Sequence, residues 1–290
     1  MSCVLLFGEV LFDIFEDGEH VLGGAPFNVA WHLKGLGLHP FMVSRLGHDD
    51  LAQQVLRAMQ SWQMETQGLQ QDTQHATGCV QVSVNQQGIP HFDIIDQVAY
   101  DFIQIPDSLP ARKIDLLYHG SLALRHATSH NSLFTLRKKL DCPVFIDLNI
   151  RQPWWDSSTL PELLTSATWL KLNDEELASL FAIDEPDNRA RLQEAAQQLR
   201  HQYQLDAVIV TCGTKGAFIV TEQDIYTAAP VIVDTIVDTV GAGDSFSAIV
   251  IKGLLANWDY PTILQHATAF AARVCQLKGA ITMDTDFYHL

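Results

Sequence analysis

The chain has 290 residues, more than one small core usually organises, so one large domain or a domain with an appendage is expected. Apolar residues make up 47% of it, yet no run approaches the ~20 residues of a membrane helix, which argues against a membrane partner. A formal net charge of −16 without a Lys/Arg stripe argues against nucleic acid, although backbone amides and a few local cations can still hold an anionic ligand. The opening MSCVLLFGEVLFD lacks a basic region and carries Glu9 and Asp13 within its apolar part, which fits a first β-strand better than a signal peptide. The five cysteines (Cys3, Cys79, Cys142, Cys212 and Cys275) are odd in number and far apart, a pattern of reduced thiols in a cytoplasmic protein.

Along the chain, β-rich runs at Cys3–Phe7, Phe41–Ser44, Leu116–His119, Val144–Asp147, Thr168–Leu172 and Ala207–Thr211 alternate with helical patterns. Leu51, Val55, Met59 and Trp62 recur at helical spacing, as do Leu192, Ala195, Ala196 and Leu199. This alternation predicts an α/β fold with a mainly parallel sheet covered on both faces. Two pieces interrupt it. Val10–Val21 and Thr77–Tyr100 have strand-like runs with no helix between them. In GCVQVSVNQQGIPHFDII, Cys79, Gln81 and Ser83 alternate with Val80, Val82 and Val84, and Gln86-Gln87-Gly88 supplies a turn, the pattern of an antiparallel hairpin with one buried face. Such a small sheet serves as a lid over a ligand crevice, as an oligomer interface, as both, or only as decoration.

Two glycine pairs precede helical patterns. In GGAPFNVAWHL, Gly23 and Gly24 come before Pro26, which suits a first helical position, and Gly37 can close the helix. Asn28 near the helix start can hydrogen-bond a polyol, and Asp13 offers an acceptor for sugar hydroxyls; the plainer alternative is a turn and a helix with a polar face. Phe27 and Trp31 could add apolar contact to a sugar, or Trp31 could be core. In DTVGAGDSFSA, Thr235–Thr239 can form an extended approach, and Gly241 and Gly243 then permit backbone angles closed to other residues. Phe246, Ile249, Val250, Gly253 and Leu254 follow at helical spacing, so the glycines sit at a helix N-terminus, where free N–H groups favour an anion. No Lys-Ser/Thr pair follows, which separates the turn from a Walker A loop. Asp244 beside a bound phosphate needs a task; accepting a proton from an attacking hydroxyl is one, and capping the helix is the alternative. His126 and His130 lack further ligands for zinc, and His119 reads as a buried strand-end histidine. A dinucleotide oxidoreductase lacks its Gly-x-Gly-x-x-Gly after the first strand.

GEVLFD, GGAPFNVA, DLNIR, LKLNDEE, VTCGTKGAF and DTVGAGDSFSA, in this order across nearly the whole chain, resemble the ribokinase/PfkB family of carbohydrate kinases, most closely its fructokinase-type members. The resemblance implies a ribokinase-like three-layer α/β/α core (residues 1–9, 23–76 and 103–290) and a small antiparallel β lid (10–22 and 77–102). It implies Asp244 as catalytic base, with Gly241, Ala242 and Gly243 as the anion hole and Arg151 pairing with the transferring phosphate. It further implies Asp13, Gly23, Gly24 and Asn28 on the sugar, and Asn173, Thr211 and Gly213 near the nucleotide. Glu176 matches a Mg²⁺ position reached through water, which does not conflict with an N-cap role for Asn173-Asp174-Glu175-Glu176. Asp238 and the Val240 carbonyl match part of a K⁺ site, with further carbonyls from Val274–Gly279. The implied activity is ATP-dependent phosphorylation of a primary hydroxyl of a free sugar, with fructose leading. Another sugar, 2-keto-3-deoxygluconate, a nucleoside, or a catalytically silent interaction homologue are the alternatives. A homodimer through the lid is a further implied partner.

Overall fold

The computed structural model describes residues 2–84, 90–185 and 188–290. β1 (Cys3–Phe7) lies inside a nine-stranded sheet, between β4 (His39–Leu46) and β8 (Leu116–His119), parallel to both. Beyond β4 lies β5 (Leu69–Gln71). Beyond β8 come β9 (Val144–Asp147), β10 (Trp169–Asn173) and β11 (Ala207–Thr211), all parallel. β12 (Ala217–Val220) and β13 (Ile225–Ala228) finish that edge antiparallel. The chain thus builds outward from β1 in one direction, then restarts at β8 and builds in the other. The reversal between β1 and β8 leaves a crevice at the carboxyl ends of the strands, where open α/β sheets bind ligands.

Strand side chains alternate between two separate cores, as the pleat requires. Leu5 and Phe7 join Leu133 and Leu136 of α3 (Ala127–Lys139), Leu163 and Leu164 of α4 (Leu160–Leu164), Leu177 of α5 (Asp174–Leu180) and Leu192 and Leu199 of α6 (Arg189–Tyr203). Val4 and Leu6 join Phe27 and Leu33 of α1 (Ala25–Gly35), Val55 of α2 (Asp50–Ser61), Ile249 of α7 (Ala242–Leu255) and Phe270 of α8 (Tyr260–Val274). Burial on both faces explains why the strands read as near-continuous apolar runs. Phe27 and Trp31 belong to the second core, 0% and 2% exposed, with Trp31 stacked on Trp62 at 5.5 Å. Both are shut off from solvent, which for Trp31 is the core alternative; helical spacing marks an apolar face but not what covers it.

A second sheet has the order β3 (His20–Gly23), β2 (Leu11–Phe15), β6 (Gly78–Val84), β7 (Pro90–Ile94). Its outer pairs are antiparallel and its central pair, β2 with β6, is parallel. Val80 and Val82 are buried while Gln81 is exposed, so one face is covered as the alternation predicts. The turn at Gln86-Gln87-Gly88 lies outside the described residues. Thr235–Thr239 belongs to no strand; Val237 and Asp238 instead donate their N–H groups to Cys275 O at 2.8 and 3.2 Å, just past α8.

Candidate active site

The first half of the site grows from the end of β1. Gly24 is the N-cap of α1 with φ 106°, a conformation that favours glycine, and Pro26 with its fixed φ sits in the first turn. This turn brings Asn28 to the crevice floor, where its Nδ2 donates to Asp244 Oδ2 at 2.8 Å across 216 residues of chain. A Cβ on Gly23 would lie 3.9 Å from Asn28 Oδ1, so the glycine borders the same amide. Asp13 stands on β2 above them. Burial, and then the Asp238 charge, push its carboxyl up to about 6 against the pull of Arg151.

The second half is the N-terminus of α7. Gly241 is its N-cap with φ 79°. Ala242 N–H already turns to Thr239 O at 3.3 Å, and Ser245 N–H to Gly241 O at 2.8 Å. Gly243 and Asp244 between them carry first-turn N–H groups that the helix geometry leaves without an internal acceptor. The Asp244 side chain is half-buried. Burial pushes its carboxyl up to about 6, with the Asp147 charge adding to the rise and Asn28, Lys171 and Arg151 opposing it. Arg151 is exposed and, among the described residues, bonds its neighbour's carbonyl, Ile150 O, at 3.1 Å, yet its charge acts on Glu9, Asp13 and Asp244.

Beside this lies the end of β10, where Asn173 pairs in register with Thr211 of β11. Asn173 caps α5 in a capping box: its Oδ1 accepts from Glu176 N at 2.7 Å, and Glu176 Oε2 accepts from Asn173 N at 2.8 Å. Glu176 Oε1 accepts from Ile150 N at 2.6 Å, and burial raises the carboxyl's proton affinity. Gly213 opens a tight turn after β11, closed by Cys212 N–H donating to Gly216 O at 2.8 Å. Asp238 gathers its loop, accepting from Val240 N at 3.0 Å and from Gly279 N at 3.2 Å.

Direct contact therefore joins Asn28 to Asp244, and the Arg151 charge acts on both Asp244 and Asp13; Asn173 and Thr211 share one register a strand away. Sequence reasoning assigned no role to Glu9, Asp147 or Lys171, although all three lie within the recognised motifs. Glu9 follows β1, is 2% exposed, and is pushed up to about 7 by burial. Its Oε2 and Asn28 Oδ1 are buried acceptors with no hydrogen-bond partner among the described residues. Lys171 and Asp147 form a buried ion pair at 2.8 Å below α7. The available signal was a lysine between the two leucines of strand WLKLN: a charge inside a sheet covered on both faces requires a partner.

Residues 10–286 match the model of the pfkB family of carbohydrate kinases. Fructokinase of Salmonella typhimurium is 27% identical, covering 96% of this chain and 95% of its own. The 2-dehydro-3-deoxygluconokinase of Haemophilus influenzae is 26% identical over 100% and 98%. The crystal structure of Vibrio cholerae fructokinase bound to fructose, ADP and calcium has a TM-score of 0.83 at 26% identity, covering 99% of this chain and 98% of that one. The fold is thus ribokinase-like, three layers with a small added sheet. With the family model spanning nearly its full length and the two glycine turns meeting at Asp244, the chain belongs to the pfkB family of carbohydrate kinases and is a sugar kinase.

Proposed function

We propose that the protein phosphorylates free fructose at its primary hydroxyl, forming fructose 6-phosphate from ATP with Asp244 as base. The observation that supports this reading is the 2.8 Å bond from Asn28 to Asp244, which holds the carboxylate between the α1 turn, read as the polyol side, and the start of α7, read as the anion side. Asp244 accepts the hydroxyl proton as the sugar oxygen attacks the γ-phosphorus in line with the departing ADP oxygen. The N–H groups of Gly241, Gly243 and Asp244 at the start of α7, joined by that of Ala242 when it turns from Thr239 O, and the Arg151 guanidinium take up the charge of the transferring group. Asp13, Gly23, Gly24 and Asn28 hold the sugar; Asn173, Thr211 and Gly213 border the nucleotide.

The unpartnered acceptors Glu9 Oε2 and Asn28 Oδ1 support a hydroxyl-bearing ligand, since buried polar atoms are expected to find donors. Asp13 and Asp244 already place negative charge at the crevice, which favours a neutral sugar over a sugar acid such as 2-dehydro-3-deoxygluconate. Both Glu176 oxygens accept backbone N–H bonds, so its carboxylate suits Mg²⁺ held through water, where the ion would offset phosphate charge. Asp238 and the Val240 carbonyl would share a K⁺ in the loop that Asp238 gathers. We read the small sheet as a lid; its exposed Phe15 and Phe92 fit closure over substrate or pairing with a second copy. Five free thiols fit a cytoplasmic location.

The test is a panel of sugars, 2-dehydro-3-deoxygluconate and nucleosides with ATP and Mg²⁺, with and without K⁺, products read by mass. Fructose is expected to give the highest kcat/KM. A higher value for another acceptor overturns the fructose assignment, and no phosphorylated product from any acceptor supports the silent homologue.

A further inference from the structure

Asp147 and Lys171 face each other in register on the neighbouring parallel strands β9 and β10, 2% and 6% exposed. Lys171 Nζ donates to Asp147 Oδ1 at 3.0 Å and to Oδ2 at 2.8 Å. The same Oδ2 accepts from Ser247 Oγ at 2.7 Å and from Tyr118 OH at 3.4 Å. The two ends of the pair meet different turns of α7. The carboxylate is tied to Ser247 in the second turn, whereas a Cβ on Gly243 in the first turn would lie only 3.3 Å from Lys171 Nζ. The pair is therefore a dipole whose positive end lies under the helix N-terminus, aligned with the macrodipole of α7.

Stability alone does not account for this arrangement. Buried ion pairs recover little beyond their desolvation cost, and apolar replacements are often as stable. The geometry points to Lys171 as a positioning residue for phosphoryl transfer: its ammonium, held by Asp147, supplies positive charge beneath Gly243 and beside Asp244. This rests on the kinase reading of Asp244. A fixed buried cation needs no reorganisation when charge develops above it, the condition under which electrostatic stabilisation is strongest. Burial alone would weaken the ammonium's hold on its proton, but Asp147 more than compensates, so Lys171 stays charged. Asp244 is faced by Asn28 from α1, Glu9 from the end of β1, Tyr118 from β8, Asp147 and Arg151 from β9 and its loop, and Lys171 from β10. Among these, Lys171 and Arg151 favour the ionised base and Asp147 disfavours it.

The experiment begins with wild type and its best acceptor, then compares Lys171→Met, Asp147→Asn and the double variant by thermal unfolding, kcat, both KM values and the pH profile of kcat/KM. The double variant removes both charges and leaves no unpaired ion, so it is expected to unfold cooperatively near the wild-type Tm. Its kcat is expected to fall about 100-fold, the scale of losing one preorganised oxyanion donor, with the sugar KM nearly unchanged. The acidic limb is expected to move to higher pH in Lys171→Met and to lower pH in Asp147→Asn. A double variant with kcat within about twofold of wild type, well inside that expected loss, overturns the proposal and leaves the pair a packing feature. Should Lys171→Met or the double variant not fold, an acidic limb in Asp147→Asn that stays put or rises overturns it equally. A wild type that phosphorylates nothing in the panel fails earlier, as the kinase reading itself, and the Lys171 role falls with it.

Discussion

At the scale of single residues, Asp244 is the proposed base because five influences act on its one carboxylate. Burial and the Asp147 charge raise its proton affinity, while Asn28, Lys171 and Arg151 hold it down, leaving it near 6. A general base is most effective when its pKa lies near the working pH yet it remains ionised there. Because the ionised form is the active one, kcat/KM should be flat above neutrality and fall as pH drops through about 6. A profile without an acidic limb between pH 5 and 7, the interval around about 6, would contradict the assignment. Asp244→Asn should lower kcat roughly 10³-fold, within the range of a general base, and leave ADP affinity nearly unchanged. A loss of less than tenfold would point to a capping role instead. Asp244 was legible in the sequence because a carboxylate after two glycines needs an explanation. Lys171 was not, because its reason for being there is Asp147, 24 residues away and adjacent only once the strands are in register.

At the scale of elements, two helix N-termini are built by glycines with positive φ, Gly24 at α1 and Gly241 at α7, and the Asn28–Asp244 bond locks them together. Gly241 has a second constraint. A Cβ there would run into Ala280 Cβ, so the loop after α8 packs directly on the turn proposed to hold the anion. Gly241→Ala should therefore cost about 1–2 kcal/mol from the left-handed backbone alone, with more from the clash. It should also lower kcat at least tenfold while α7 stays helical; unfolding in denaturant and steady-state kinetics measure the two effects. Wild-type kcat in that variant would mean that the turn does not set the anion hole. The glycine turns were readable because the residue type follows from the backbone angle. Strands Cys3–Phe7, Leu116–His119, Val144–Asp147 and Ala207–Thr211 were readable to the residue because runs buried on both faces end sharply at turns. The parallel pairing of β2 with β6 was not, since alternation reports which face is buried but not strand direction.

At the scale of the whole molecule, the reversal of strand order between β1 and β8 concentrates carboxylates that the fold keeps despite their cost. Glu9, Asp13 and Asp244 all bind protons more tightly in the folded protein, each chiefly through burial. The sign of the resulting pH dependence follows from linkage. A carboxyl raised from 4.5 to about 7 binds its proton in the native state but not in the unfolded chain across that interval. Its contribution is therefore complete below 4.5 and is lost as pH rises through 7. For Glu9 the difference amounts to about 3 kcal/mol, at 1.36 kcal/mol per unit. Asp72 has the opposite character. Despite burial, hydrogen bonds from Gln74 and His75 hold it down to about 2, so its term is lost only in stronger acid, below this window. Burial holds His32 down to about 4 and His119 to about 3, which acts in the opposite sense over much of this window, so the Glu9 contribution is isolated by comparing unfolding free energies of wild type and a Glu9 variant in urea from pH 4.5 to 7. Glu9→Gln, which keeps the shape without the titration, should gain stability relative to wild type as pH rises through this interval. Equal slopes in the two proteins would mean that Glu9 does not titrate in this range. The acidity of the crevice would then have to be carried by Asp13 and Asp244 alone.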